Sequence, residues 1–87
     1  MNKVAEQLSE VDGVINSLNE VQEDATVPRN VRSQIQGVIS TLKADAELQI
    51  KVSKALSGLS EIADDINLQS YTRTQIWNAI TMLEKLH

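Results

Sequence analysis

The chain repeats itself at an offset of 41 residues, and this repeat limits what it can fold into more than any other feature. When the sequence is compared with itself at that offset, 11 of 46 aligned pairs are identical. A shared helical period would align apolar residues by itself, but it does not explain why Asp24 matches Asp65 or why Arg32 matches Arg73. The offset therefore predicts two copies of one unit, at about residues 2–44 and 45–87.

Within each unit, apolar residues recur every three or four positions, which is typical of amphipathic helices with one buried face. The pattern breaks before Pro28, which is excluded from a helix interior but fits a first turn. Turns are predicted near residues 24–28, 43–46 and 65–70. The predicted stripe residues are Val4, Leu8, Val11, Ile15, Leu18, Val21, Val31, Ile35, Val38, Ile39, Leu42, Leu48, Val52, Ala55, Leu56, Leu59, Ile62, Ile76, Ala79, Ile80, Leu83 and Leu86.

Helix starts are predicted from side chains that can accept a hydrogen bond from a first-turn amide. Asn2 is the predicted cap of the first helix and Asp45 that of the third, where a kinked continuation of the second helix is the alternative. Thr26 and Asn67 occupy equivalent positions before the second and fourth helices, and Ser70 competes with Asn67 for the latter role.

Short connections make successive helices antiparallel, and two hairpins with one apolar stripe each bury those stripes against one another. We expect an all-α fold, an antiparallel up-down four-helix bundle built from two duplicated helical hairpins. Two stacked repeats of a short α-solenoid fit the sequence equally well. Three glycines, Gly13, Gly37 and Gly58, fall inside predicted helices, where they either permit close helix contact or are tolerated at the surface.

Charge alternates along the chain. Residues 1–24 and 45–66 carry net charges of −5 and −3, whereas residues 25–44 and 67–87 carry +3 and +1. Complementary charge of this kind favours pairing between neighbouring antiparallel helices.

Composition excludes several classes of protein. The absence of cysteine rules out disulfides, thiolate zinc sites and thiol catalysis. Apolar residues never run for more than three positions, and the N-terminal stretch lacks the apolar segment of a signal peptide. We expect a soluble, cytoplasmic protein that does not bind membranes.

No constellation of residues points to catalysis. Nucleophilic catalysis needs a nucleophile, a base and an orienting group, but the one histidine, His87, is the last residue of the sequence. The densest acidic residues lie beside the predicted turns and lack the Glu-x-x-His spacing by which helical bundles bind two metals. We therefore expect no enzyme and no catalytic, cofactor-binding or metal-binding residues.

In each unit an aspartate precedes an arginine by eight residues, across the predicted turn. We predict that Asp24 with Arg32, and Asp65 with Arg73, form carboxylate–guanidinium pairs that act as structural clamps over the corner. The alternative is that both arginines face outward and bind an anionic partner at the helix N-termini.

The single tryptophan, Trp77, stands where the first unit has Gln36, on the flank of the apolar stripe. It either seals the edge of the core or anchors an interface with a partner. Tyr71, which opens the same helix, is expected to share its role.

The stretches Val27-Pro28-Arg29-Asn30-Val31-Arg32 and Thr72-Arg73-Thr74-Gln75-Ile76-Trp77 closely resemble the two signature stretches of a small archaeal family, uncharacterised protein family 0147. The resemblance spans nearly the whole chain, including Leu59-Ser60-Glu61-Ile62. One departure is Leu68-Gln69-Ser70, where members often have a proline. The resemblance implies a compact helical protein of the archaeal cytoplasm, and it brings no activity or site residues.

The leading hypothesis is a non-enzymatic module that docks on a protein partner or associates with itself. Its candidate interaction residues are Arg29, Asn30, Arg32, Tyr71, Arg73 and Trp77. The alternative is association with nucleic acid or a ribonucleoprotein through the basic second helix, using Arg29, Asn30, Arg32 and Lys43. An isoelectric point near 4.8 and the presence of only two aromatic residues argue against nucleic acid.

Overall fold

The structure is a computed structural model that describes the backbone of residues 3–86 and the side chains of residues 9–86. This range contains four helices: α1 (Lys3–Glu23), α2 (Arg29–Lys43), α3 (Leu48–Ala63) and α4 (Ser70–Glu84). The connections cover residues 24–28, 44–47 and 64–69, so the three predicted turns are confirmed. The predicted cap Asn2, the side chains of Val4 and Leu8, and His87 lie outside the described residues.

The four helices form a closed ring in which each packs against two neighbours. Both α1 and α3 contact α2 and α4, whereas no backbone contact joins α1 to α3 or α2 to α4 within the described residues. A solenoid would pack equivalent helices of successive repeats side by side, which places α1 against α3. The contacts instead identify the up-down four-helix bundle, which measures 40 × 20 × 19 Å along its principal axes.

This ring order places helices from negatively charged segments between helices from positively charged ones. The helices α1 and α3 belong to the segments of net charge −5 and −3, and each of them contacts both α2 and α4. Within the helices themselves, only α1 and α2 carry clearly opposite net charges, −4 and +3, whereas α3 carries +1 and α4 is neutral. The predicted alternation of acidic and basic helices is therefore wrong for the second hairpin, because most acidic residues of the third segment lie in the connections on either side of α3.

The core is built from pairs of residues related by the 41-residue offset. Both members are buried in the pairs Val11 and Val52, Val14 and Ala55, Leu18 and Leu59, Val21 and Ile62, Val27 and Leu68, Ile35 and Ile76, Val38 and Ala79, Ile39 and Ile80, and Leu42 and Leu83. The predicted stripe omits Val14, Val27 and Leu68. The last two lie in connections, where helical periodicity cannot mark a buried residue.

The helices α2, α3 and α4 start without side-chain caps. Pro28, Glu47 and Gln69 precede α2, α3 and α4 in an extended conformation, with ψ angles of 147°, 141° and 149°, and none of their side chains bonds to the first turn. The prediction of Asp45 as a cap is therefore wrong, because α3 begins two residues too late for it. The connection of residues 44–47 also excludes a kinked continuation of α2 into α3.

The predicted caps before α2 and α4 are wrong as well. Thr26 and Asn67 lie too far upstream of the helices and bond backwards to Asp24 and Asp65. Ser70 is already the first residue of α4, and its carbonyl accepts a hydrogen bond from the Thr74 hydroxyl at 3.0 Å. Each of these three helices therefore begins directly after a residue in extended conformation, without a side-chain cap.

Gly58 and Gly37 illustrate the two possible roles of a glycine within a helix. A Cβ atom at Gly58 would lie 2.9 Å from Cγ2 of Val38, so this glycine allows α3 to approach α2 closely. At Gly37 an added Cβ would meet nothing within 4 Å, so this glycine is merely tolerated at the surface.

Candidate functional site

An aspartate carboxylate organises the turn at both hairpin corners. Oδ1 of Asp24 accepts hydrogen bonds from the backbone N–H of Thr26 at 2.9 Å and from its hydroxyl at 2.7 Å. Oδ1 of Asp65 accepts one from the backbone N–H of Asn67, also at 2.9 Å. Short polar side chains commonly stabilise turns in this way. The duplicated aspartates are therefore explained by the turn itself.

The hydrogen bonds also affect the acidity of Asp24. The Thr26 hydroxyl and then the Thr26 backbone N–H donate to the ionised carboxylate, and together they lower the pKa of Asp24 below its ordinary value of 3.8.

Arg73 spans the second corner, but it binds main-chain oxygens rather than the predicted carboxylate. Its Nη2 donates to the carbonyl of Asp65 at 2.7 Å, and its Nε donates to the carbonyl of Ala63 at 3.1 Å. The last carbonyls of a helix have no partner within the helix and lie at the negative end of its dipole. The Ala63 carbonyl is such a helix-end acceptor, whereas the Asp65 carbonyl belongs to the connection after α3 and also accepts the backbone N–H of Leu68. Oδ1 of the Asp65 carboxylate is already used by the turn. The predicted Asp65–Arg73 ion pair is thus corrected to a cap of α3.

The first corner closes differently. Gln22 stands where the second unit has Ala63, and its Nε2 donates to the backbone carbonyl of Arg32 at 3.1 Å. The Nε atom of Arg32 is buried and has no hydrogen-bond partner. The Asp24 carboxylate bonds to Thr26 instead, so the predicted pairing of Asp24 with Arg32 is also corrected.

Arg32 lines an open surface depression of about 550 Å³ at the start of α2. This arginine depression is formed by Gln22, Arg29, Arg32, Ser33 and Gln36. It brings together two of the candidate interaction residues, Arg29 and Arg32, with neutral side chains that can donate hydrogen bonds. Gln22 and Ser33 were not predicted from the sequence, although the contrast between Gln22 and Ala63 at the repeat offset is a visible signal.

Trp77 lies at the groove between α3 and α4 and keeps 49% of its surface exposed. The Trp77 depression, about 370 Å³, is lined by Leu56, Ser60, Trp77, Ile80 and Glu84. Ile80 is buried, and Leu56 packs against the core while remaining partly exposed. Trp77 therefore extends an apolar strip outward from the core, with one acidic residue at its edge.

Tyr71 and Trp77 do not share a surface. Tyr71 is 70% exposed and lines a third depression, of about 290 Å³, with residues of α1 and α4 that include Glu20 and Met82. Asn30 is exposed and lines none of these three depressions. The candidate interaction residues thus fall on separate faces of the bundle.

Two further apolar side chains are exposed. Ile66, in the connection before α4, is 91% exposed, and Ile50 on α3 is 47% exposed. Neither was predicted from the sequence, because the exposure of a single apolar residue in a turn or on a helix leaves no periodic pattern.

Neither a metal-binding cluster nor a membrane-spanning helix is found among the described residues. No three histidine, aspartate or glutamate side chains in that part of the chain come together where they could hold a metal ion. None of the helices described there combines the length and the apolar character needed to cross a membrane.

Comparison with known proteins places the chain in a family. The model of UPF0147, described as an uncharacterised protein family, matches residues 1–86. The chain belongs to this family. The resemblance seen in the two signature stretches is thereby confirmed.

Relatives in UPF0147 are archaeal. A UPF0147 protein of Archaeoglobus fulgidus is 34% identical over 76 residues, which cover 87% of each chain. A UPF0147 protein of Methanocaldococcus jannaschii is 37% identical over 75 residues, covering 85% of this chain and 81% of the relative. Neither name assigns an activity.

A solved structure supports the UPF0147 fold described above. The crystal structure of the unknown-function protein MMP1188 matches with a TM-score of 0.84 at 33% identity and covers 90% of both chains.

Proposed function

We propose that this chain is a non-enzymatic helical module that binds a protein partner through the Trp77 depression. The observation that carries the proposal is the position of Trp77, which is half exposed above Leu56 and Ile80. Tryptophan is enriched among the residues that dominate binding energy at interfaces.

The bundle does not need a tryptophan at this position to fill its core. The equivalent residue of the first hairpin is Gln36, an exposed polar residue. Its neighbours Ile35 and Ile39 are buried, just as Ile76 and Ile80 are buried beside Trp77 in the second hairpin. The same packing is thus achieved with glutamine. A large apolar side chain that the core does not require supports a role outside it.

The depression favours a segment of another protein over a second copy of this chain. Stable protein interfaces bury roughly 800 Å² on each partner. A single tryptophan with two partly or fully buried neighbours offers less apolar surface than that. We expect a transient partner that inserts one apolar side chain, and, because Glu84 lines the same depression, carries a basic residue beside it. An amphipathic helix laid into the α3–α4 groove fits this description.

The test is site-specific photo-crosslinking in an archaeal cell extract. A photoreactive amino acid replaces Trp77 in one variant and Gln36 in the matched control, which probes the equivalent surface of the first hairpin. We expect a protein adduct at position 77 that is absent at position 36 and survives nuclease treatment. The purified adduct protein should then bind the native chain, and Trp77→Gln should weaken that binding at least ~10-fold, as expected for an interface anchor.

Three outcomes would reject the proposal. One is an adduct that is identical at both positions, and another is an adduct lost on nuclease treatment, which points to nucleic acid. The third is crosslinking of the chain only to itself, together with dimers in sedimentation velocity at the same concentration.

A further inference from the structure

We propose that the arginine depression binds a phosphate-type anion carried by a small molecule. This depression lies on the first hairpin, whereas the Trp77 depression lies on the second, so the inference is independent of the proposed protein partner.

The first observation is the unpaired Nε atom of Arg32. This atom is buried without a hydrogen-bond partner, while the equivalent arginine, Arg73, donates two hydrogen bonds to main-chain carbonyls. A buried donor without a partner is rare and unfavourable. At the first corner, the hydrogen bond from Gln22 to the Arg32 carbonyl connects α1 to α2 instead. Gln22 rather than Arg32 therefore closes this corner, and Arg32 lines the depression instead.

The charge around the depression is the second observation. Arg29 and Arg32 both lie in the first two turns of α2, where the positive end of the helix dipole disfavours cations. The first turn contains no acidic residue, and residues 25–44 contain none at all. The nearby Asp24 carboxylate accepts two hydrogen bonds from Thr26 on its Oδ1 and forms no bond to either arginine. An anion in the depression would relieve the repulsion between the two arginines and the helix end.

The lining chemistry suits a tetrahedral oxyanion. Guanidinium groups bind phosphate through paired, charge-assisted hydrogen bonds. Ser33 and Gln36 add a hydroxyl and an amide at the same depression. The depression is open to solvent, and its volume of about 550 Å³ leaves room for a phosphate group and for part of the organic group attached to it.

The distribution of basic residues disfavours a nucleic-acid strand as the source of the phosphate. Lys43, the remaining base of α2, lies in the last turn of that helix. At 1.5 Å per residue it is about 21 Å from Arg29. No aromatic residue lines the arginine depression to stack a base. The arrangement is a single anion site and not a track along a phosphate backbone.

The second hairpin provides an internal comparison. Ala63, Ser70 and Trp77 stand there in place of Gln22, Arg29 and Gln36. The equivalent surface has lost one arginine and both glutamines, and its remaining arginine is bonded to the main chain. The anion site is therefore expected on the first hairpin alone.

The experiment is a titration of the full chain with inorganic phosphate at constant ionic strength, followed by ¹H–¹⁵N correlation spectra. Arg29→Ser introduces the residue of the second hairpin, Arg32→Gln removes the guanidinium with the unpaired Nε atom, and Lys43→Gln is the control that removes one charge from the far end of α2. A 12-nucleotide oligothymidylate, at equal total phosphate, tests the nucleic-acid source. Circular dichroism verifies that each variant is folded. Because Arg29 is exposed, Arg29→Ser should fold normally and still tests the site if Arg32→Gln unfolds.

We expect saturable shifts centred on the amides of residues 29–33. Loss of a bidentate charged contact should weaken phosphate binding ~10-fold or more in Arg29→Ser and Arg32→Gln, and Lys43→Gln should change it less than ~2-fold. Equal weakening by all three variants, or shifts that do not saturate, would overturn the site. Tighter binding of the oligonucleotide than of inorganic phosphate, with a matching loss in Lys43→Gln, would overturn the small-molecule source in favour of nucleic acid.

Discussion

Arg73 and Asp65 meet across the corner between α3 and α4 through a 2.7 Å hydrogen bond from the guanidinium to the main-chain carbonyl of the aspartate. The carboxylate of Asp65 takes no part in this bond, since its Oδ1 accepts the backbone N–H of Asn67. An ion pair and a carbonyl cap therefore predict different behaviour when the charge of Asp65 is removed.

The first prediction concerns that corner. Arg73→Gln removes two charge-assisted hydrogen bonds and should lower the free energy of unfolding by ~1–3 kcal/mol. Asp65→Asn keeps an oxygen that accepts the Asn67 N–H, so it should change the free energy by less than ~0.5 kcal/mol. The coupling energy from the double-mutant cycle, read by chemical denaturation, should be close to zero. A coupling energy above ~1 kcal/mol would show that the Asp65 carboxylate and the Arg73 guanidinium do form an ion pair.

Arg32→Gln is the matched control for Arg73→Gln. Because Nε of Arg32 makes no hydrogen bond, whereas Nε and Nη2 of Arg73 both donate, we expect the loss of Arg32 to change the free energy of unfolding less than the loss of Arg73 does. Equal costs at the two positions would show that both corners are closed by arginine.

The second prediction concerns pH. The folded pKa of Asp24 is depressed, so the carboxylate stabilises the fold above its unfolded pKa and loses this effect as pH falls through the folded pKa. Thr26→Ala removes the hydroxyl donor and should raise the pKa of Asp24 towards 3.8 in an NMR titration. An unchanged pKa would show that the hydroxyl bond does not form in solution.

The sequence predicts the bundle well because its information is periodic. Ile35 and Ile76 carry the buried stripes of α2 and α4, and the repeat offset relates them to each other. Val27 and Leu68 escape prediction because their burial depends on how the connections fold back over the core. Spacing brings Arg73 to the corner, but it cannot decide between two oxygens of the same aspartate.

The third prediction compares two glycines. Gly58→Ala places a Cβ against Val38 and should destabilise the protein by ~1–3 kcal/mol. The β-branched side chain of Val38 is packed between the helices and has little room to move away from the added atom. Gly37→Ala meets open space and should stabilise it by ~0.5–1 kcal/mol through better helix propensity. Thermal or urea unfolding measures both. Stabilisation by Gly58→Ala would mean that α2 and α3 are farther apart than described.

The fourth prediction concerns the equivalence of the two hairpins. Ile35 and Ile76 are both fully buried, and replacing either by alanine should cost ~2–5 kcal/mol through lost burial and a cavity. Exposed Ile50 is the control, since Ile50→Ala should cost much less. Costs below ~1 kcal/mol at both buried positions would contradict the core.

The candidate sites were less predictable than the fold. The stripe places Trp77 on a flank, but whether a flank is covered depends on the neighbouring helix, here α3 with Leu56. Likewise, the sequence shows Arg29 and Arg32 in one helix, while Gln22, which donates to the Arg32 carbonyl at the corner, comes from another.

The most direct measurement for the central claim is the affinity of the protein crosslinked at position 77 for the native chain and for Trp77→Gln, with the free energy of unfolding measured on the same samples. Because Trp77 is 49% exposed, we predict a change in the free energy of unfolding of less than ~1 kcal/mol and a loss of affinity of at least ~10-fold. Unchanged affinity would contradict the role of Trp77 as an interface anchor. A loss of stability above ~3 kcal/mol would contradict it as well, because it would show that Trp77 is a core residue.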